Sequence, residues 1–430
     1  MNYIKSKYNS VIETIDDGIL VLNTLTSAIL WLPNEYWKLD KFSGEITKDW
    51  KELIDSGIWI EENRDEYEEL KTHLQESVES GIGTLRITIA PTYACNMKCD
   101  YCFQQDRNEI IMSQQMADKI YDSIVYIISK YNSIVISWFG GEPLLALESI
   151  QYLSKRLIEF CDCNNILYKA EVTTNGTLLT PEVASVLDLL RVEEVQITLD
   201  GIEHDATRKM KNGTSSYKII IENITHAAEL FNVVVRSNVT EYNVPGIKKM
   251  IDELMLEYHL ANKLYFSFYP VSNFEGKNAK NCTFNKFCSL NVFASDLVEL
   301  IQYVLKYEDA PFVTNLYQMP SSVPCEAIFK DVVCFDAYGD IYKCSLAMQN
   351  EHLKVGNITE ANIEDILNQG DQNGWLTFAW ADECKDCNFL PMCHSGCFFR
   401  RRASGKNKIC DVSKATHKQI AKLLYELSEE

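Results

Sequence analysis

The chain of 430 residues has no cysteine in its first 82 positions and nowhere an unbroken apolar run approaching bilayer length. A transmembrane helix needs about 18 or more such residues, so none is expected. The opening Met1-Asn2-Tyr3-Ile4-Lys5-Ser6-Lys7-Tyr8 lacks an apolar h-region and does not read as a secretory signal. The expectation is a cytoplasmic protein that does not act at a membrane. Cations are scarce too: 41 Lys and Arg stand against 61 Asp and Glu, a formal charge of −20. Nucleic-acid binding depends on Lys and Arg neutralising phosphates, so no nucleic-acid partner is expected. The acidic surplus speaks first to solubility. No internal repeat or low-complexity tract is visible.

Apolar residues make up 46% of the chain, enough for sizeable cores, and the length allows two or three domains. Fifteen cysteines are the prominent feature. In a reducing compartment they would not form a disulfide framework, so metal ligation or redox chemistry is expected.

Three regions separate. Over residues 1–82, Val11–Thr14, Ile19–Asn23 and Ala28–Leu32 read as strands, the first two around an Asp17-Gly18 turn. Trp50, Leu53 and Ile54 sit at helical spacing ended by Gly57, and Tyr67, Leu70, Leu74 and Val78 share one face of a charged helix. This small α+β unit resembles a winged helix. Over residues 83–309, six β-branched apolar runs read as buried parallel strands: Leu85–Thr92, Ile134–Phe139, Lys169–Thr174, Glu194–Leu199, Val233–Val239 and Leu264–Tyr269. Helical patterns lie between them, one capped by Ser113 and another by Thr180 with Pro181 at its first position. The fold class expected is α/β, a partial (β/α)6 TIM-like barrel with its chemistry at the C-terminal strand ends. Over residues 310–430 regularity falls and eight cysteines gather, as in a segment folded around metal.

Directly after the first barrel strand stand Cys95, Cys99 and Cys102. Three thiolates on one short loop hold three corners of a [4Fe–4S] cluster and leave the fourth iron open, which substrate-binding metal sites require. Zinc is the plainer alternative, but it asks for a fourth ligand nearby. Cys-x3-Cys-x-aromatic-Cys in this position resembles the radical S-adenosylmethionine (radical SAM) superfamily. Later strand ends extend the resemblance. Gly140-Gly141-Glu142-Pro143 is similar to the loop that binds the methionine amino group. Thr174 and Asn175 lie where relatives contact ribose or methionine. Asp200, followed by Arg208, is similar to the stretch whose arginine pairs with the methionine carboxylate, a bidentate task suited to guanidinium. Tyr101 would pack near the adenine. The resemblance implies reductive cleavage of S-adenosylmethionine to a deoxyadenosyl radical that takes a hydrogen from the substrate.

Cys384-x2-Cys387-x5-Cys393-x3-Cys397, then Cys410, with Cys325 and Cys344 upstream around Gly339, resemble the SPASM extension. That resemblance implies two auxiliary clusters, hence three [4Fe–4S] clusters in all. Cys384, Cys387, Cys393 and Cys410 would hold one; Cys325, Cys344 and Cys397 would hold part of the other, and Cys334 would complete it. The run Arg400-Arg401-Arg402 with Lys406 and Lys408 offsets cluster charge or is simply solvated. Cys161, Cys163, Cys282 and Cys288 match no ligand pattern and are expected to be structural thiols. SPASM relatives mostly modify peptides, and the N-terminal region resembles elements that bind a leader segment as an added strand. A thioether-forming maturase of a ribosomal precursor peptide with a leader segment is the leading expectation, with flavodoxin or ferredoxin as reductant. Other cross-links, epimerisation, sulfatase maturation and, outside this class, an iron–sulfur electron-transfer protein are the alternatives.

Overall fold

The computed structural model describes the chain except residues 16, 103, 105–108, 272–283, 285–286, 317–324, 369–374, 376–378, 411 and 430. In the N-terminal region the strands are β1 (Tyr3–Lys5), β2 (Asn9–Ile15), β3 (Gly18–Asn23), β4 (Ile29–Pro33), β5 (Lys41–Phe42) and β6 (Trp59–Glu61). β2, β3 and β4 form the antiparallel meander that the sequence suggests. A second sheet, β5-β1-β6, was not foreseen, because strands of two or three residues carry no readable alternation. The helices Lys48–Asp55 and Glu66–Ser80 begin on Thr47 and Asp65, whose side chains accept from backbone amides of the first turn. Each such cap is worth about 1 kcal/mol. The helices bury Trp50 and Leu53, and Leu70 and Leu74, on the faces their spacing marks.

The barrel strands are β7 (Leu85–Ala90), β9 (Ser133–Trp138), β10 (Leu167–Thr174), β11 (Val192–Thr198), β13 (Asn232–Val239) and β14 (Leu264–Pro270). They pair in parallel in that order, each joined to the next by a helical crossover, as βαβ units require. Between them lie two three-residue strands, β8 (Met97–Cys99) and β12 (Arg208–Met210), which pair antiparallel on their own. Alternate residues of each strand, such as Ile134, Ile136 and Trp138, are buried in the main core beneath the helices.

The C-terminal region does not stand apart from this sheet. β15 (Phe312–Val313) extends it beyond β14, while β16 (Val332–Asp336), β17 (Asp340–Tyr342) and β18 (Gly356–Asn357) extend it beyond β7, giving ten strands. Val333, Phe335 and Ile341 enter the main core. The segment is therefore built on apolar packing as well as on its cysteines, more so than its irregular sequence suggests. The final helix, Val412–Glu429, meets β2 through the Ser10 Oγ–His417 Nε2 hydrogen bond of 3.1 Å and the Lys422–Glu13 ion pair of 2.7 Å. Among the described residues no helix is long and apolar enough to cross a membrane.

Candidate active site

The first cysteine loop leaves β7 and is clamped by the loop after β9. Gly141 N donates to Thr92 O at 3.1 Å, and Glu142 N to Ala94 O at 2.8 Å. The approach is close enough that a Cβ on Gly140, at φ +131°, would lie 2.3 Å from Thr92 O. Pro143 opens a 3-10 turn capped by Glu142. The Glu142 carboxylate is fully buried and accepts from Leu144 N (3.1 Å), Thr174 Oγ1 (2.7 Å) and Asn175 N (2.7 Å). It thus ties the loop after β9 to the end of β10. Burial raises its pKa, and the hydrogen bonds from Asn175, Thr174 and Leu144 oppose that rise. Asn175 reaches onward: its Nδ2 donates to Asn96 Oδ1 at 2.8 Å and lies 3.8 Å from Cys95 Sγ.

On the other side, Cys99 and Arg208 face each other in the β8–β12 ladder. Tyr101 Oη donates to Asp200 and accepts from Arg208 Nη1 and Asn238 Nδ2, both at 3.1 Å. Asn238 N also donates to Asp200 Oδ1 at 2.8 Å. Burial pushes the Asp200 carboxyl up against the pull of Arg208 and Tyr101. Arg208, 8% exposed, is held above its ordinary value because Cys99, Tyr101 and Asp200 outweigh the cost of burial. Its Nε is buried with no hydrogen-bond partner among the described residues. Such an orphaned guanidinium N–H fits an incoming carboxylate.

Burial disfavours a free thiolate on this loop, which counts against a nucleophilic role. Burial raises Cys95 and pushes Cys99 up to about 12. Backbone amides of Met97 and Gln104 point at Cys95 Sγ and Cys102 Sγ, each at 3.4 Å. Buried thiols of this kind give up their protons to a bound metal, so metal uptake carries the charge into the site.

The eight cysteines of the C-terminal region fall into two groups. Cys334 lies on β16, opposite Tyr342 of β17, and Gly339 at φ +81° makes the turn that returns the chain to Cys344. Cys325, Cys334, Cys344 and Cys397 share one apolar cluster. Burial pushes Cys334 up to about 12 and also raises Cys344, where Cys334, Cys325 and Cys397 add to the effect. Lys414 faces the other group: its Nζ donates to Cys387 Sγ at 3.3 Å, and Cys387, Cys410 and Cys393 raise its pKa against burial. Cys387 N bonds Cys384 O at 3.0 Å, which places Cys384 in the same turn.

Of the cysteines outside any ligand pattern, Cys161 is buried in the main core, Cys163 is exposed, and Cys288 donates to Asp296 at 3.8 Å. Cys282 lies outside the described residues. Of the residues expected to contact S-adenosylmethionine, Gly140, Gly141, Glu142, Pro143, Thr174, Asn175 and Asp200 lie at or just after the ends of β9, β10 and β11, while Arg208 lies in the β8–β12 ladder and Tyr101 beside it. Sequence reading missed Asn238, which completes the Asp200–Tyr101 network, and Tyr93, whose hydroxyl donates to Asp336 at 2.9 Å. Asn238 carries no motif; its signal is a polar residue near the C-terminal end of a barrel strand.

A partial parallel barrel carries one buried and two half-buried thiols beside an arginine–carboxylate network, an arrangement suited to an iron–sulfur cluster and a zwitterionic cofactor. Residues 89–257 match the radical SAM superfamily, and residues 325–388 match the SPASM iron–sulfur cluster-binding domain. The chain thus carries a radical SAM domain and a SPASM domain. It is similar to an anaerobic serine-type sulfatase-maturating enzyme of Bacteroides thetaiotaomicron, 22% identical over 76% of this chain and 87% of that one. It is also similar to a mycofactocin maturase of Mycolicibacterium smegmatis, 22% identical over 77% and 83%. Among solved structures, anSMEcpe with bound AdoMet and peptide aligns at TM-score 0.64 and 17% identity over 80% of this chain and 97% of that one. Streptococcus suis SuiB bound to precursor peptide SuiA aligns at 0.57 and 15% identity, over 95% and 99%. The cofactors of the chain are S-adenosylmethionine and [4Fe–4S] clusters.

Proposed function

We propose that the chain is a peptide maturase that forms thioether cross-links in a ribosomal precursor peptide. The carrying observation is the orphaned Nε of Arg208 beside Asp200 and Tyr101, in strand register with Cys99. Cys95, Cys99 and Cys102 would hold the cluster that presents S-adenosylmethionine. Arg208 would take the methionine carboxylate, while Gly140, Gly141, Glu142 and Pro143 with Thr174 and Asn175 shape the amino-group and ribose side. Bound there, S-adenosylmethionine supplies one-electron hydrogen abstraction from the substrate. The chain's own part is to orient it, and the buried Glu142 and Asp200 networks hold that geometry.

Cys325, Cys334, Cys344 and Cys397 are assigned to a first auxiliary cluster, and Cys384, Cys387, Cys393 and Cys410 to a second. Residues 1–82 are assigned to leader recognition, 83–309 to the barrel and 310–430 to the auxiliary clusters. Likeness to the peptide-bound SuiB over 95% of the chain supports the first assignment. A cytoplasmic setting with a flavodoxin or ferredoxin as reductant completes the reading.

The test is the mass spectrum of a candidate precursor peptide after anaerobic reaction with reconstituted enzyme, S-adenosylmethionine and dithionite. Loss of two hydrogens per site, with cysteines no longer alkylatable, is expected. Deuterium uptake from heavy water without a mass change in ordinary water would make the enzyme an epimerase. The second reading, formylglycine formation, is favoured by the sulfatase-maturating relatives and predicts a cysteine or serine converted to an aldehyde.

A further inference from the structure

Lys343 is 3% exposed, a burial that costs an ammonium dearly unless nearby groups answer its charge. Its Nζ donates to Phe329 O at 2.5 Å and to Val332 O, the two ends of the turn that leads into β16. In sequence it stands between Tyr342, the strand partner of Cys334, and Cys344. The side chain is therefore pinned inside the wall that carries two of the four thiols of the first auxiliary group. Four thiolates around a [4Fe–4S] core leave a net negative unit, and each added electron makes it more negative. Net charge around a cluster is one of the levers that sets its potential.

We propose that the buried ammonium of Lys343 raises the reduction potential of the first auxiliary cluster, by placing a fixed positive charge against the Cys325–Cys334–Cys344–Cys397 cradle. The inference rests on the four-cysteine reading above. Lys343 is a positioning residue that acts through the cluster. Reduction adds one electron to the cluster, and dithionite supplies it in the test. One unit charge removed from within ~10 Å, at an effective dielectric of ~20, changes the reduced-to-oxidised ratio by about tenfold.

The experiment is an anaerobic redox titration of the full-length reconstituted protein, followed by electron paramagnetic resonance. In Lys343→Met the reduced-to-oxidised ratio of one auxiliary signal at fixed potential should fall about tenfold, or about 59 mV for a one-electron couple. The signal of the S-adenosylmethionine-binding cluster should stay in place. Lys343→Arg, which keeps the charge, should restore the ratio to within about twofold of wild type. An unchanged ratio in Lys343→Met at wild-type iron content would overturn the proposal. So would a shift that Lys343→Arg does not restore, or loss of iron in both Lys343→Met and Lys343→Gln, which would make the lysine a structural tie. Cys325→Ala separates the underlying reading: if it keeps the iron of all clusters, the four-cysteine assignment itself is wrong.

Discussion

Replacing Glu142 by glutamine tests whether the geometry of the S-adenosylmethionine site depends on this buried carboxylate. Glu142 is 0% exposed, and its two oxygens accept three hydrogen bonds. A glutamine offers one acceptor oxygen. If that oxygen keeps Leu144 N and Thr174 Oγ1, its NH2 faces the amide of Asn175, which now donates to Glu142 at 2.7 Å. Donor then meets donor in a site closed to bulk solvent. A lost charge-assisted hydrogen bond costs roughly 1.5–3 kcal/mol, and a stranded buried donor roughly 1–3 kcal/mol. Removing a buried charge returns part of this, since burial already disfavours the ionised form. A net penalty of about 2–4 kcal/mol remains, concentrated at Asn175, which reaches Asn96 and Cys95. The dissociation constant for S-adenosylmethionine, measured anaerobically by calorimetry, should rise by at least about tenfold, since 1.4 kcal/mol corresponds to a factor of ten. Iron content should be near wild type. Unchanged affinity with an unchanged melting temperature would refute the argument, because the three hydrogen bonds would then carry no weight.

Gly140→Ala forces a Cβ to 2.3 Å from a backbone oxygen at φ +131°, strain of about 1–3 kcal/mol; a lowered melting temperature and weaker S-adenosylmethionine binding are expected, and wild-type values for both would exclude the clamp. Cys334→Ala should lower iron content and alter the auxiliary-cluster spectrum; full iron with an unchanged spectrum would remove Cys334 from the ligand set. Asp336 gives a pH effect. Burial, helped by Asp340, raises it from 3.8 to about 6, so the folded carboxyl holds its proton more tightly than the unfolded one. That stability is fully present below about pH 4 and is lost as pH rises to about 6, with a ceiling of about 3 kcal/mol. Asp336→Asn keeps an acceptor for Tyr338 N and Asp340 N, at 2.9 and 3.0 Å, and should flatten the pH profile and raise the apparent melting temperature at pH 8. An unaltered profile would count against it.

The barrel was legible because each strand end carries its own punctuation. Cys95-x3-Cys99, Gly140-Gly141, Thr174-Asn175 and Asp200-Gly201 all follow β-branched runs, and the strands found begin and end within about two residues of those read. What escaped is what has no local pattern. Asn238 is one polar residue among several on β13, and only the fold sets it against Tyr101. β1, β5 and β6 are too short for alternation to show. The polar wall around Glu142 was half read: the loop was recognised, but not that the carboxylate is consumed by Thr174 and Asn175.

The largest gap lies at β16. Val332-Val333-Cys334-Phe335-Asp336 reads as cysteine-bearing irregular chain, yet it pairs in parallel with β7, Cys334 against Thr88 and Asp336 against Ala90. β7 is the strand that delivers Cys95. Beyond its end Tyr93 donates its hydroxyl to Asp336, closing a second link between the same two segments. The strand that leads to Cys95 and the strand that carries Cys334 are thus neighbours in one sheet. The register of this ladder is strongly specified, because a one-residue slip would turn Cys334 and Asp336 to the opposite face. The placement of the auxiliary cysteines relative to the S-adenosylmethionine site is therefore set by strand register, which no cysteine spacing encodes.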